Sequence, residues 1–205
     1  MAIALITGFE PFGGASVNSS AEVARRLDGR RIGAWDVRAA ILPVHHASAV
    51  AAVQALLRAH DPVAIVHLGL AGERAQVALE RVAINVMDYS IPDNEGFQAQ
   101  DEPCVADGPA AYFSTLPLRA MLDAVRGAGV PGYLSTTAGT YLCNFVMYTT
   151  LHALAARRDP PRAGFVHLPS LPSMVAADHP EQPSMDLELM LRGVEAALKA
   201  LGTVR

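Results

Sequence analysis

The chain has 205 residues and a formal net charge of −4, with 51% hydrophobic and 18% charged residues. That composition suits a globular protein able to hide about 70% of the surface its unfolded form exposes; it excludes a disordered tail and removes any need for disulfides or a structural metal. The 16 basic residues, Lys199 being the one lysine, are outnumbered by 20 acidic ones, so no basic face for nucleic acid is expected.

In chain order, Met1 to Thr7 is apolar, lacks a cationic lead-in and runs into Glu10 and Pro11, which reads as a first strand over Ile3 to Thr7 rather than a secretory leader. The following Thr7-Gly-Phe-Glu-Pro-Phe-Gly-Gly has neither G-x-G-x-x-G spacing nor the Gly-Lys-Ser/Thr of a phosphate loop. Its Phe9, Pro11 and Phe12 build an apolar wall instead of a row of N–H donors. A helical pattern over Ser19 to Leu27 precedes a strand over Asp36 to Leu42, a helix over Ala47 to Ala59 and strands over Val63 to Leu68 and Arg81 to Val86. The stretch from Pro92 to Pro109 shows neither period and is expected to be a long loop, either a lid or partner contact or a solvated excursion. Beyond it come a helix over Leu116 to Arg126, a strand over Gly132 to Ser135, a helix over Tyr141 to Arg157 and a strand over Gly164 to Leu168. The last helix spans Met185 to Leu201, with Leu187, Leu191, Val194, Leu198 and Leu201 at helical spacing, Ser184 as its cap and Gly202 beyond its end.

This alternation predicts an α/β protein: one three-layer α/β/α domain over residues 1–205 around a mostly parallel, twisted sheet, its uncharged strands buried on both faces. Apolar runs fall short of the ~18 to 20 residues a membrane span requires, so no membrane is expected. Two cysteines, Cys104 and Cys143, are too few for a disulfide framework and point to a reducing cytoplasm.

The strongest chemical signal is Ser135-Thr-Thr-Ala-Gly-Thr-Tyr-Leu-Cys-Asn, a strand entering a helix through a small, hydroxyl-rich turn. With Thr140 as cap, Cys143 falls in the first turn, where the helix dipole and free N–H groups favour a nucleophilic thiolate; the competing reading is a small core hydrophobe. A thiolate needs a base. His60 and His152 fall late in helical patterns, His45 and His46 follow Pro43 at a strand-to-helix turn, and His67 reads as a satisfied core histidine. His167 ends a strand, where α/β sheets place their sites. For a carboxylate to orient the imidazole, Glu80, Asp88 and Asp93 are not separable by composition or spacing. With no H-E-x-x-H and no closely spaced Cys/His set, no metal or cofactor is expected.

Four blocks, Thr7-Gly-Phe-Glu-Pro-Phe-Gly-Gly, Glu80-Arg-Val-Ala-Ile-Asn with Ile91-Pro-Asp-Asn-Glu-Gly, Thr137-Ala-Gly-Thr-Tyr-Leu-Cys-Asn and Gly164-Phe-Val-His-Leu-Pro, together resemble the pyroglutamyl peptidase I family of cysteine peptidases over most of the chain. The resemblance implies a triad of Glu80, Cys143 and His167, and cofactor-free removal of an N-terminal pyroglutamyl residue from peptides. It also implies an α/β/α fold that commonly assembles as a homo-tetramer. It places Phe9, Phe12, Ile91 and Leu142 at the substrate, which suits a neutral lactam without a free amine; core packing is the other reading of the Phe pair. The chain departs from the pattern at Leu70, where the family commonly has Gln, at Glu73, at Tyr89-Ser90 and after His167. Leu70 and Ser90 keep open hydrolysis of another lactam or small amide, and noncatalytic recognition of blocked peptide termini is the alternative from a different class.

Overall fold

The computed structural model describes residues 2–202. Its elements run β1 (Ala2–Phe9), α1 (Ser19–Leu27), β2 (Arg31–Ile32), β3 (Trp35–Leu42), α2 (His46–His60), β4 (Ala64–Leu70), β5 (Val77–Glu80), β6 (Val82–Ile84), β7 (Ala111–Phe113), α3 (Leu118–Gly127), β8 (Gly132–Ser135), α4 (Leu142–Ala155), β9 (Arg162–Leu168), α5 (Pro172–Val175) and α6 (Leu187–Leu201). Seven strands form one sheet in the order β2-β3-β1-β4-β9-β5-β8. The pairs β1/β3, β1/β4, β4/β9 and β5/β8 are parallel, while β2/β3 and β5/β9 are antiparallel. The mostly parallel sheet expected from the alternating pattern is therefore present. Among the described residues no helix is long and apolar enough to cross a membrane.

Strand alternation sorts the core into two layers. On one face Ala4 and Ile6 of β1, Val66 and Leu68 of β4, and Val166 and Leu168 of β9 pack with Val23 and Leu27 of α1, Met121 and Val125 of α3, and Leu191, Val194 and Leu198 of α6. On the other, Leu5, Ile65, Ala163 and Phe165 pack with Val53 and Leu57 of α2 and with Phe145 and Val146 of α4. Each such side chain, fully buried, contributes about 1.5 to 3 kcal/mol. The same parity decides the chemistry: His167 shares its face with Phe165, and Glu80 opposes Val77 and Leu79, so both residues stand on the α4 side.

Several local expectations are corrected. The strand expected over Arg81 to Val86 shrinks to β6, which pairs only with β7 outside the main sheet. The strand that enters the sheet is β5, whose apolar run Val77-Ala-Leu is too short to stand out before the buried Glu80. The cap of α6 is Asp186, whose Oδ1 accepts from the Glu188 N–H at 2.9 Å. Ser184 instead forms a bridge to Ser170, and the Met185 N–H donates to the Ser170 carbonyl at 2.9 Å, which delays the helix by two residues.

The segment from Pro92 to Pro109 has no regular structure, yet it is strapped down. Tyr89 N–H donates to Ala99 O at 2.9 Å, Asn94 N–H to Val44 O at 2.9 Å, and the Asn85 amide holds Val105 O and Gly108 O at 2.8 and 3.2 Å. Asp93 is buried within it. Burial alone would raise its carboxyl, but the N–H groups of Phe97 and Glu95, together with His46, hold it below the ordinary value.

His67 is wholly buried, with Nδ1 2.7 Å from Thr7 Oγ1 and Nε2 3.1 Å from Thr150 Oγ1. Burial lowers it from 6.5 to about 3, so between those values the unfolded chain binds a proton that the folded chain refuses. Its contribution is complete above pH 6.5 and is lost as the pH falls toward about 3, by on the order of 1 kcal/mol per pH unit. Urea unfolding from pH 7 to pH 4.5 should show that slope, and His67→Gln should flatten it; an unchanged slope in the variant would mean the acid sensitivity lies elsewhere.

Candidate active site

The parallel strands β1, β4 and β9 end at one edge of the sheet, with Phe9, Leu70 and His167 at or beside their C-terminal ends. Helix α4 begins over the same edge. Its N-cap is Tyr141, not the expected Thr140, and Tyr141 makes no side-chain cap bond. Thr140 is occupied elsewhere: its hydroxyl donates to Asp88 O at 2.7 Å and its carbonyl accepts from Asp88 N–H at 3.1 Å, which ties the turn to the chain leading into the strap. Without a capping side chain, the first-turn N–H groups around Cys143 remain available to an anion. The turn itself is set by Gly139, whose φ of 78° lies in the left-handed region, and by Thr137 Oγ1 accepting from Gly139 N–H at 3.0 Å.

Glu80 and His167 are joined across the antiparallel β5/β9 pair. His167 Nδ1 lies 2.8 Å from Glu80 Oε1, and the same oxygen accepts from Arg74 Nη1 at 2.6 Å. A carboxylate can only accept here, so Nδ1 carries the proton and the neutral ring presents a bare Nε2. Burial lowers His167, its hydrogen bond to Glu80 and the charge of Glu80 raise it, Arg74 lowers it again, and the net shift is downward. Arg74 also donates to Thr137 O at 3.2 Å, so one guanidinium holds both the carboxylate and the turn that delivers Cys143.

Cys143 and His167 line one pocket of about 130 Å³ together with Phe9, Phe12, Asn18, Val44, Leu70, Ala138, Tyr141 and Leu142. That volume is below the ~300 to 1,000 Å³ of sites for drug-sized ligands and suits a single small ring. Apart from Cys143 and His167 the lining holds no ionisable group but the Tyr141 phenol, and it contains no carboxylate. Asn18 is spent on its neighbours, accepting from Ser20 N–H at 3.0 Å and donating to Glu10 O at 3.0 Å. Ile91 is not part of this lining; it is 39% exposed and lies over Gly13.

Burial pushes the Cys143 thiol up to about 12, the charge of Glu80 adding to it and Arg74 and the residue's own N–H opposing. This corrects the expectation that the helix start keeps the sulfur ionised: one helix dipole is worth about 1 kcal/mol, less than desolvation takes. Burial thus disfavours the charged form of both groups, and no hydrogen bond joins Sγ to the imidazole among the described residues.

The other histidines serve elsewhere. His45 caps α2 and His46 contacts Asp93, while His152 Nδ1 is 2.9 Å from the Tyr112 hydroxyl. Cys104 Sγ faces Ile84 O at 3.6 Å. Asp88 is bound through its backbone to Thr140 and Asp93 is bound into the strap, and neither has a hydrogen bond to His167 among the described residues. Sequence reasoning missed Gly69, which pairs with His167 across β4/β9 and where a β-carbon would lie 2.9 Å from Cys143 Sγ and 2.7 Å from the Phe165 ring. It also assigned no role to Asn144, whose amide accepts from Ile84 N–H at 2.9 Å and donates to Ile84 O and Val86 O at 2.9 and 3.0 Å, anchoring the start of α4 to β6.

A family model described as pyroglutamyl peptidase matches residues 2–203. The pyrrolidone-carboxylate peptidase of Escherichia fergusonii is 46% identical over 198 residues, covering 97% of this chain and 92% of that protein. Among solved structures, pyrrolidone carboxyl peptidase from Thermococcus litoralis superposes with a TM-score of 0.94 at 40% identity, covering 98% of this chain and 93% of that one. Bacillus amyloliquefaciens pyroglutamyl peptidase I gives a TM-score of 0.95 at 34% identity, covering 100% and 98%.

A neutral thiol has a measurable signature. The rate of Cys143 alkylation by iodoacetamide, followed by peptide mapping to separate it from Cys104, should climb about tenfold per pH unit from pH 6 to 9. A plateau across that range would show that a thiolate–imidazolium pair already exists in the free protein.

Proposed function

The chain belongs to the pyroglutamyl peptidase family, and from that premise we propose that it removes an N-terminal pyroglutamyl residue from peptides, with Cys143 as nucleophile, His167 as base and acid, and Glu80 as the group that orients the ring. The observation that carries this reading is the pocket lining: apolar walls from Phe9, Phe12 and Leu142 beside Cys143, and no carboxylate. A free peptide amino terminus brings an ammonium that would be desolvated there without a partner, whereas a lactam has no such charge.

In the reaction, His167 Nε2 accepts the Cys143 proton as Sγ bonds to the pyroglutamyl carbonyl carbon. The resulting oxyanion is met by the uncapped N–H groups of the first turn of α4. His167 returns the proton to the departing nitrogen as the C–N bond breaks, leaving a thioester. Water then attacks while His167 takes its proton; the C–S bond breaks, the acid leaves and Cys143 is reprotonated. Glu80, held by Arg74, keeps Nδ1 protonated throughout and stabilises the transient imidazolium. Proton transfer thus accompanies attack, because neither partner is charged beforehand. The chemistry draws on side chains, backbone N–H groups and water.

A homo-tetramer accompanies this reading through the family resemblance, and a cytoplasmic setting through the two free cysteines. Ile84 and Phe113, 37% and 69% exposed on the β6/β7 ribbon, offer apolar surface to a second copy.

Hydrolysis of a pyroglutamyl fluorogenic amide should exceed that of the prolyl and glutaminyl amides by at least about 100-fold in kcat/KM, and Cys143→Ala should leave no more than a trace. Since His167 is lowered from 6.5, the acid limb of kcat/KM should lie below that pH. Equal turnover of an analogue would redirect the substrate assignment, and activity retained in Cys143→Ala would remove the mechanism.

A further inference from the structure

The fold assembles a second cluster that lies far apart in sequence and outside the pocket lining. His45 and His46 stand at the start of α2, and the strap brings Asp93 onto them. One nitrogen of each histidine and one carboxylate oxygen lie within 4.8 Å of one another. We propose that His45, His46 and Asp93 form a divalent-metal site of zinc type that fastens the strap to α2.

The donor set selects the class of ion. Two imidazoles and one carboxylate suit Zn²⁺ and its neighbours Co²⁺ and Ni²⁺, with a fourth position left for water, whereas Mg²⁺ and Ca²⁺ favour oxygen throughout. The arrangement is partly made already. His46 Nδ1 is 3.4 Å from Asp93 Oδ2, close to the edge of about 3.3 Å that separates two ligands at the 2.0 to 2.1 Å bond lengths of a tetrahedral zinc site. Asp93 Oδ1 is committed, accepting from the Glu95 and Phe97 N–H groups at 3.0 Å each. Oδ2 has only long contacts, at 3.3 Å from His46 N and 3.4 Å from Nδ1, and so retains a lone pair for a cation. The rings are held in place. His46 lies against Phe97 with centroids 4.0 Å apart, His45 meets the edge of His46 at 4.8 Å, and Ser48 Oγ is 2.7 Å from His45 Nδ1. Such outer partners orient ligands for a metal.

The consequence of occupancy follows from what the strap touches. Asn94, next to Asp93, donates from its backbone to Val44 O at 2.9 Å and from its side chain to Pro11 O at 3.0 Å; Pro92 O accepts from the Tyr141 hydroxyl at 3.1 Å. Val44 and Tyr141 line the pocket of Cys143 and His167, so an ion at Asp93 would stiffen that wall from behind. The metal site itself does not rest on the peptidase reading.

Titration of the whole protein with Co²⁺, followed by visible absorption, separates this site from the thiols, because sulfur ligation adds an intense thiolate-to-metal band in the near ultraviolet. The expected result is one equivalent bound without that band. His45→Asn, which keeps a capping side chain for α2, and His46→Gln should each weaken binding by about 10- to 100-fold, and Zn²⁺ should raise the melting temperature of the wild type more than that of either variant. No saturable binding, binding accompanied by the thiolate band alone, or unchanged affinity in His45→Asn would each overturn the proposal; should His46→Gln fail to fold, His45→Asn decides.

Discussion

One oxygen of one buried carboxylate holds the candidate active site together. Glu80 Oε1 accepts from Arg74 at 2.6 Å and faces His167 Nδ1 at 2.8 Å, while Oε2 has no hydrogen-bond partner among the described residues. A carboxylate buried in such a place is held by the permanent charge of Arg74 and the Nδ1–H of His167 converging on it, and removing one partner from a buried pair costs about 3 to 5 kcal/mol. The antiparallel insertion of β5 beside β9 is what allows this meeting. The pairing sets Ala78 opposite His167 and Glu80 opposite Phe165, two residues before the imidazole and on its face of the sheet.

From that bond the protonation states follow in order. The carboxylate fixes the proton on Nδ1, which bares Nε2 toward the pocket. Burial first, and Arg74 in offsetting the charge of Glu80, disfavour a second proton on the ring, and burial of the thiol disfavours ionised sulfur as well. The free enzyme therefore stores little charge separation. A low-dielectric pocket that is neutral at rest and becomes charged only during attack is well matched to a neutral ring as ligand, and it explains why α4 keeps its first-turn N–H groups free of a capping side chain.

Much of this was legible in the chain and some was not. Helix α1 and strand β8 lie where their periodicity placed them, because each is settled by local pattern. Cys143 and His167 could be singled out from position alone, one after a small turn and one at the end of a buried strand. Glu80 could not, since what distinguishes it from Asp88 and Asp93 is the β5/β9 register, a contact between residues 87 positions apart. The thiolate expectation differs from the structure for a similar reason: the helix dipole is visible in sequence, but the desolvation that opposes it comes from Phe9 and Phe165 arriving from two other segments, β1 and β9. His45, His46 and Asp93 also meet only through the path of the strap, so no spacing rule for metal ligands could register them.

The most direct test of the account is to quench the enzyme with acid during turnover of a pyroglutamyl ester and locate the acyl group by mass spectrometry. The account predicts one pyroglutamyl group on the peptide containing Cys143, absent when His167 is replaced by Gln. Turnover with no adduct, or an adduct on Cys104, would contradict it.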